Sequence, residues 1–378
     1  MKNKLSNLIL IIIILLLCTF IVFFSINYLD TDKKVVKSGK ETKQSSSNSL
    51  ALMLETAISS GEYQVSTDST WPATGYDFNP TLSKCENGST LTYDIVTKKV
   101  KVQSNRSDKC FVYFDKEKPK FYEYLISNNG IIGMDYHIST LPNGANDNSY
   151  RFSGANPNNY VCFGPGATVS GQTCPDNNIY RIIGVFGNQV KLIKKASLGN
   201  RVWNSNNVNT WAGSTMDTYL NGEYLNNLTS TWSNKIVANT WQVGGMTDTN
   251  GSKSVPAIAY NYEVGPNKAN VTFNAKIGLM YVSDYGFASS PSNWTLTLYN
   301  YNDANAKANN WLYSSSMEWI MSRTLDNSSN AFDFTAKGYV SSSGVTGSFG
   351  ARAVFFLQSS VNLNGGNGTA IDPYRILQ

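Results

Sequence analysis

The sequence predicts an α+β protein with three parts: an N-terminal transmembrane helix, a small β module and a larger mixed domain. The chain of 378 residues contains one long apolar run, over residues 8–28. Short alternating apolar and polar stretches, separated by turn residues, indicate β-hairpins. Residues 215–228 carry apolar side chains at four-residue spacing, which indicates an amphipathic helix.

The composition excludes several classes of protein. Charged residues make up only 15% of the chain and hydrophobic residues 41%, so it is not an intrinsically disordered acidic or basic protein. A single long apolar run excludes a polytopic membrane protein. The net charge of +5 is modest and dispersed along the chain, and we therefore expect no nucleic-acid partner.

The apolar run is long enough to cross a membrane, because a helix of about 20 residues spans the bilayer core. We expect a short cytoplasmic tail at 1–7, a transmembrane anchor at 8–28 and a flexible linker at 29–50, which is rich in Lys, Ser and Thr. The predicted location is the cell membrane, single-pass, with the C-terminal part extracellular. A cleaved signal peptide is the alternative, although no small-x-small cleavage site follows the run.

Four cysteines lie outside the apolar run: Cys85, Cys110, Cys162 and Cys174. An even number in an exported chain predicts two disulfides, and nearest neighbours give Cys85–Cys110 and Cys162–Cys174. Sequence alone allows three pairings, and free buried thiols are a further alternative. A zinc site is not expected, because there is no Cys-x-x-Cys motif and His137 is the only histidine.

The rest of the chain divides into a small β module at 51–118, a connector at 119–148 and an extracellular α+β domain at 149–378. Each is predicted from local patterns of apolar, turn and helix-ending residues. The predicted elements are a short helix at 51–58, a hairpin at 91–103, helical turns at 120–127, a hairpin at 180–194 around Gly187 and Asn188, helices at 215–228 and 232–240, a buried strand at 276–282, and several short strands over 314–357.

A series of motifs resembles a known family. It includes YRIIGVF at 180–186, AKIGLMYVSDYG at 275–286 and ARAVFFL at 351–357. Their order resembles a domain-of-unknown-function family in surface and secreted proteins of low-GC Gram-positive bacteria, many from gut communities. The resemblance covers roughly residues 150–378. The front module, with its CENGS and SDKCFVYF motifs, is similar to a recurrent module of the same proteins.

The final third of the chain is similar in layout to C-type-lectin-like and formylglycine-generating-enzyme-like folds. In those folds a Trp-rich segment and a variable loop precede a closing strand with a V-R-P-x-F-x-L pattern. This chain has Ala351, Arg352 and Ala353 at that place, so the proline is missing. The resemblance implies a C-type-lectin-like domain, but a fold does not by itself imply a function.

Catalytic chemistry has little support in the sequence. His137 lies beside aromatic residues in the connector, where a lone histidine is usually structural. The sugar-binding Ca²⁺ triplets of C-type lectins are absent, and we expect no metal and no cofactor. Asp284, Glu318 and Asp326 could form paired carboxylates for glycoside hydrolysis, but their spacing is uninformative and solvated surface acids are the simpler interpretation.

An aromatic and amide-rich stretch between residues 285 and 350 is the predicted binding surface. Aromatic rings stack on the apolar faces of ligands while amides pair with hydroxyl groups, which suits recognition of glycans or proteins. The arginines of this stretch could bind an anionic group, or could pair with an acid such as Asp326 or Asp333. The tryptophans could instead fill the core. The candidate ligand-binding residues are Trp294, Tyr299, Tyr301, Trp311, Tyr313, Arg323 and Arg352.

These observations together predict a membrane-anchored extracellular binding or adhesion protein that is not an enzyme. Its expected partners are the membrane, through the single-pass anchor, and a glycan or a cell-surface protein. Two alternatives remain. The chain could be a structural cell-envelope protein without a specific ligand, or an enzyme that acts on cell-wall glycans.

Overall fold

The computed structural model describes residues 49–66, 74–94, 96–97, 99–103, 107–165 and 172–376. Ser49–Gln378 cluster into one unit. The predicted tail at 1–7, the anchor at 8–28 and nearly all of the linker at 29–50 lie outside the described residues.

Strands make up most of the regular structure. They are β1 (Ser49–Glu55), β2 (Tyr63–Val65), β3 (Tyr76–Cys85), β4 (Thr90–Asp94), β5 (Lys99–Gln103), β6 (Lys109–Lys116), β7 (Asp135–Tyr136), β8 (Tyr150–Arg151), β9 (Tyr160–Cys162), β10 (Ile179–Phe186), β11 (Gln189–Lys194), β12 (Asn200–Val202), β13 (Asn239–Gln242), β14 (Thr272–Ala275), β15 (Ile277–Gly278), β16 (Glu318–Arg323), β17 (Asn330–Phe334), β18 (Val340–Gly344), β19 (Ser348–Gly350), β20 (Val354–Phe356) and β21 (Tyr374–Arg375).

The helices are short. The α-helices are α1 (Phe121–Ser127), α2 (Asn129–Ile132), α3 (Thr215–Tyr219), α4 (Leu225–Asn227), α5 (Ser230–Ser233), α6 (Pro256–Glu263), α7 (Val282–Phe287) and α8 (Ala304–Ala308). A π-helical turn, Leu220–Tyr224, joins α3 to α4, so the predicted amphipathic helix at 215–228 is confirmed. Single 3₁₀ turns occur at Asp176–Asn178, Pro291–Asn293 and Leu298–Asn300.

The N-terminal sheet is defined here as β1, β2, β3 and β6, in the order β2-β1-β6-β3. Strand β1 runs parallel to β6, and Leu50 pairs with Cys110. The predicted helix at 51–58 is therefore wrong. The alternating inward side chains of β6, Cys110, Val112 and Phe114, provide an apolar surface beside β1, and tertiary pairing overrides the local helix preference.

The C-terminal part, residues 119–376, is built around two further sheets. One has the order β15-β20-β11-β10-β8-β7, with β9 pairing to β10 and β21, and the other has the order β12-β19-β16-β17-β18. Aromatic and aliphatic side chains from these sheets form one large core. This core holds the elements on which the candidate site is built.

Both predicted hairpins are confirmed. Strands β4 and β5 pair antiparallel, and so do β10 and β11, whose turn has Gly187 at a positive φ of 60°. The helical turns at 120–127 are confirmed as α1, and the short strands of 314–357 are also present. The prediction of a helix at 232–240 is wrong beyond α5, because β13 begins at Asn239. The prediction of a strand at 276–282 is wrong beyond Gly278, because α7 begins at Val282.

The predicted fold class also needs correction. We predicted an α+β protein with a transmembrane helix and C-type-lectin-like features, but the described residues form a mainly β structure with short helices. The longest helix in this part of the chain, Pro256–Glu263, has 8 residues. Among the described residues, no helix combines the length and apolarity that a membrane crossing requires. Asn or Gly residues cap the C-termini of four of the short helices: α1, α2, α5 and α8.

Two disulfides join the cysteines in the nearest-neighbour pairing. Cys85 and Cys110 face each other on the paired strands β3 and β6. Cys162, at the end of β9, is bonded to Cys174, twelve residues later. The predicted disulfides are thus confirmed, and they are consistent with an extracellular protein.

Candidate functional site

The candidate site begins with a row of residues that lie side by side across four strands. Phe356 of β20 pairs with Lys191 of β11, Lys191 pairs with Gly184 of β10, and Gly184 pairs with Arg151 of β8. A bulge in β10 between Ile182 and Gly184 sets this register. The row therefore places two basic side chains on either side of a glycine.

Glycine at position 184 allows β8 to approach β10 closely. A Cβ atom built on Gly184 would lie 2.3 Å from the carbonyl oxygen of Tyr150 and 3.2 Å from the Cα atom of Arg151. Any larger residue would push β8 away from the sheet. The glycine is thus a structural requirement for the position of Arg151.

Asp284, in the first turn of α7, provides the carboxylate that faces both basic residues. Its Oδ2 atom lies 2.5 Å from Nζ of Lys191, and its Oδ1 atom lies 3.8 Å from Nη1 of Arg151. Arg151 also donates from Nη2 to Oδ2 of Asp147, at 2.6 Å. We name these four side chains the charged cluster. It contains two basic and two acidic groups, and its formal charge is balanced.

Glu263, at the end of α6, holds the start of α7 in place. Its carboxylate accepts hydrogen bonds from the backbone N–H groups of Val282 and Ser283, at 2.8 and 2.9 Å. It also accepts from the hydroxyl groups of Ser283 and Ser322. Because Ser283 immediately precedes Asp284, this network fixes the position of the Asp284 carboxylate, which itself accepts from the N–H of Tyr281.

The charged cluster is enclosed by aromatic rings. The ammonium of Lys191 lies 4.6 Å from the ring centroid of Tyr281 and 5.4 Å from that of Phe186. The side chains of Lys191 and Asp284 are each only 2% exposed. Burial lowers the pKa of the Lys191 amine and is opposed by the charge of Asp284. Burial, together with the nearby negative charge of Asp147, raises the pKa of Tyr260 to about 12.

A cavity of about 200 Å³ opens above the charged cluster. Aromatic, amide and hydroxyl side chains surround it, and its lining outside the cluster consists of Phe186, Asn239, Thr240, Gln242, Tyr260, Val264, Tyr281, Ser283 and Phe356. Gln242 lines the cavity, and its side-chain oxygen Oε1 is buried and has no hydrogen-bond partner among the described residues. A buried acceptor without a partner is costly.

Residues 187–359 match a protein family described as a domain of unknown function, DUF6273. No curated protein and no solved structure matches the chain. The family match carries no information on bacterial origin or on a C-type-lectin-like relationship. Most of the cavity lining falls inside the matched residues, while Asp147, Arg151 and Phe186 precede them.

Three of the predicted aromatic site residues are part of the interior. Trp294 and Tyr301 are 0% and 1% exposed, and Trp311 is 6% exposed. Their polar atoms donate to backbone oxygens: Trp294 to that of Ser289, Tyr301 to that of Gly286 and Trp311 to that of Phe152. Their rings therefore contribute to packing rather than to an open surface.

The other predicted residues lie apart from the cavity lining. Arg352 is paired with Glu318, at 2.6 Å, rather than with Asp326 or Asp333, and it also donates to a backbone oxygen. Arg323 donates from Nε to the backbone oxygen of Gly244. Tyr313 donates to the backbone oxygen of Ala336. Tyr299 is 54% exposed and is the most exposed of the predicted aromatic residues.

The residues proposed as possible catalytic groups have structural partners. His137 is fully buried, accepts a hydrogen bond at Nδ1 from the N–H of Ala145, and packs edge-on against Phe287. Burial, together with the positive charge of Arg151, lowers the pKa of His137 to about 3. Asp326 accepts from the backbone N–H of Asp248, and Asp284 belongs to the charged cluster.

Sequence reasoning did not identify the charged cluster as a site. One signal was present: Lys191 lies between the apolar residues Val190 and Leu192 in a strand of a confirmed hairpin. A lysine at such a position requires a buried acidic partner. The sequence indicates Asp284 only as one of three acids that could form paired carboxylates. Nothing in the sequence shows that Asp284 contacts Lys191, 93 positions away.

Proposed function

We propose that this protein acts outside the cytoplasm as a non-catalytic binding protein, and that its ligand enters the cavity above the charged cluster. One observation carries the proposal. The cavity combines aromatic walls with amide and hydroxyl side chains, among them those of Asn239, Gln242 and Ser283. Such a mixture of apolar surface and a few polar groups is typical of ligand sites. The two disulfides support an extracellular location.

The size and charge of the cavity favour an uncharged polar group as the part of the ligand that enters it. A volume of about 200 Å³ would hold roughly six water molecules, so it suits one sugar ring or a group of similar size. The cluster beneath it is balanced in charge, so it gives no net attraction to an anion or a cation. We therefore propose the end of a glycan chain as the ligand.

A glycan array with the exported protein tests this proposal. We expect saturable binding to at least one host or cell-wall saccharide. Replacing Gln242 or Tyr260 by Ala should weaken that binding at least tenfold, because each change removes part of the cavity lining. Tyr299→Ala is the matched control, since Tyr299 is an exposed aromatic that does not line the cavity.

Each other outcome contradicts part of the proposal. Binding that is lost with Tyr299→Ala and kept with Tyr260→Ala would place the site on the loops instead of in the cavity. The absence of binding to every saccharide and to cell-wall material would contradict the proposed function itself.

A further inference from the structure

The buried pair of Lys191 and Asp284 has an arrangement that goes beyond an ordinary ion pair. The amine and the carboxylate come from different elements, β11 and α7, and are 93 residues apart in the chain. They lie 2.5 Å apart, and each side chain is only 2% exposed. Although the pair lies below the cavity, almost none of the surface of either side chain is accessible to solvent.

We propose that Lys191 and Asp284 condense to an intramolecular amide, a covalent cross-link between β11 and α7. The Nζ atom of Lys191 forms a bond to Cγ of Asp284, and the bond from Cγ to Oδ2 breaks. Oδ2 leaves as water and takes two of the three ammonium hydrogens, while the third stays on the amide nitrogen. Atoms and charge balance, and no oxidant or other co-reactant is needed.

The surrounding side chains favour this reaction. Arg151 lies 3.8 Å from Oδ1, the oxygen that becomes the amide carbonyl, and its positive charge stabilises the negative charge that develops there during attack. Burial among aromatic rings lowers the pKa of Lys191, which increases the fraction of neutral, nucleophilic amine. The Glu263 network fixes the start of α7, so the reacting atoms stay close together.

Burial also favours the product over the ion pair. Two charges withdrawn from water carry a desolvation cost, which condensation removes from both groups at once. The released water passes to bulk solvent, and hydrolysis would require water to return to an almost inaccessible carbon. The ion pair between Arg151 and Asp147 is retained, so the region stays balanced in charge. At the cavity, the product replaces the ammonium of Lys191 and the carboxylate of Asp284 with one neutral amide.

Mass spectrometry of the full-length exported protein under reducing conditions tests the proposal. Reduction removes the mass difference due to the disulfides. We expect a proteolytic digest to contain one branched peptide that includes residues 191 and 284, lighter by one water than the sum of its parts. The unlinked peptides should be absent or minor. The measured mass of the intact wild-type protein should be one water below the mass calculated from its sequence. The measured mass of the Lys191→Met variant should equal its calculated mass.

Asp284→Asn provides a second, distinguishable outcome. The amide of Asn can react with the same amine but releases ammonia, so its branched peptide should be lighter by one ammonia instead of one water. Separate, unmodified peptides for residues 191 and 284 in the wild-type protein would overturn the proposal. A loss of water that maps to any other residue would also overturn it. Neither result depends on ligand binding, so the proposed function is tested separately.

Discussion

The N-terminal sheet and the C-terminal part achieve burial in different ways. The buried apolar residues of the N-terminal sheet, within the described residues 49–116, are Cys110, Val112 and Phe114, all on β6. The C-terminal part instead has a large continuous core and encloses several ion pairs in it. A small sheet with so little core depends on a covalent link and on individual hydrogen bonds, whereas a large core can enclose charges if each has a partner.

The largest expected effect is in the C-terminal part, at the buried pair of Glu318 and Arg352. Glu318→Ala would leave the Arg352 guanidinium buried without its carboxylate. We expect this change to lower the free energy of unfolding by about 3–5 kcal/mol. Urea denaturation measures it. Glu223→Ala, at an exposed acid of the same part, is the control and should change stability by less than about 0.5 kcal/mol.

Removing the disulfide of the N-terminal sheet should lower the free energy of unfolding nearly as much as Glu318→Ala does. Replacing both Cys85 and Cys110 by Ala opens a loop of 25 residues and should cost about 3 kcal/mol. We expect faster hydrogen exchange at β6 amides, with β10 and β11 amides unchanged, because the large core does not depend on this link. Equal acceleration in both regions would show that the two regions unfold together, and would remove the distinction drawn above.

The two regions should also respond in opposite directions to pH. Burial raises the pKa of Asp333, in the C-terminal part, to about 6, and the nearby hydroxyl of Ser343 offsets this effect only in part. Its unfolded value is 3.8. The stability it contributes is therefore complete below about pH 4 and is lost as the pH rises through 6. Asp333→Asn should remove this decrease in stability with rising pH, which is at most about 3 kcal/mol. Denaturation measured from pH 4 to 7 tests this expectation.

Asp108, which immediately precedes β6 of the N-terminal sheet, provides the opposite case. Burial acts to raise its pKa, but hydrogen bonds from the backbone N–H groups of Asn87, Ser89 and Lys109 help to lower the pKa to about 2. Its contribution is present above about pH 4 and is lost as the pH falls through 2. Asp108→Asn should therefore abolish a loss of stability at acid pH. If Asp333→Asn and Asp108→Asn changed the stability in the same pH range and in the same direction, the contrast between the two regions would be contradicted.

The smallest effect is expected at Glu55, which links the segment between β1 and β2 to the end of β6. Its carboxylate accepts from the backbone N–H groups of Gly61 and Lys116. Glu55→Ala should cost about 1 kcal/mol, because water can replace part of these bonds. Thermal unfolding measures the change, and the exposed Glu62→Ala is the matched control. If Glu55→Ala lowered the free energy of unfolding as much as Glu318→Ala, the N-terminal sheet would be as sensitive as the large core to the removal of a buried carboxylate.

The sequence by itself determined the features that depend on neighbouring residues. The turn at Gly187 and Asn188 identified the β10–β11 hairpin, four-residue spacing identified the helix at 215–228, and nearest-neighbour cysteines identified both disulfides. Tertiary structure decided the features that depend on contacts between residues far apart in the sequence. It made residues 49–55 a strand by pairing them with β6, and it buried Trp294. It also brought Lys191 and Asp284 into contact across 93 residues, because register and bulges are set by the packed sheet rather than by local preference.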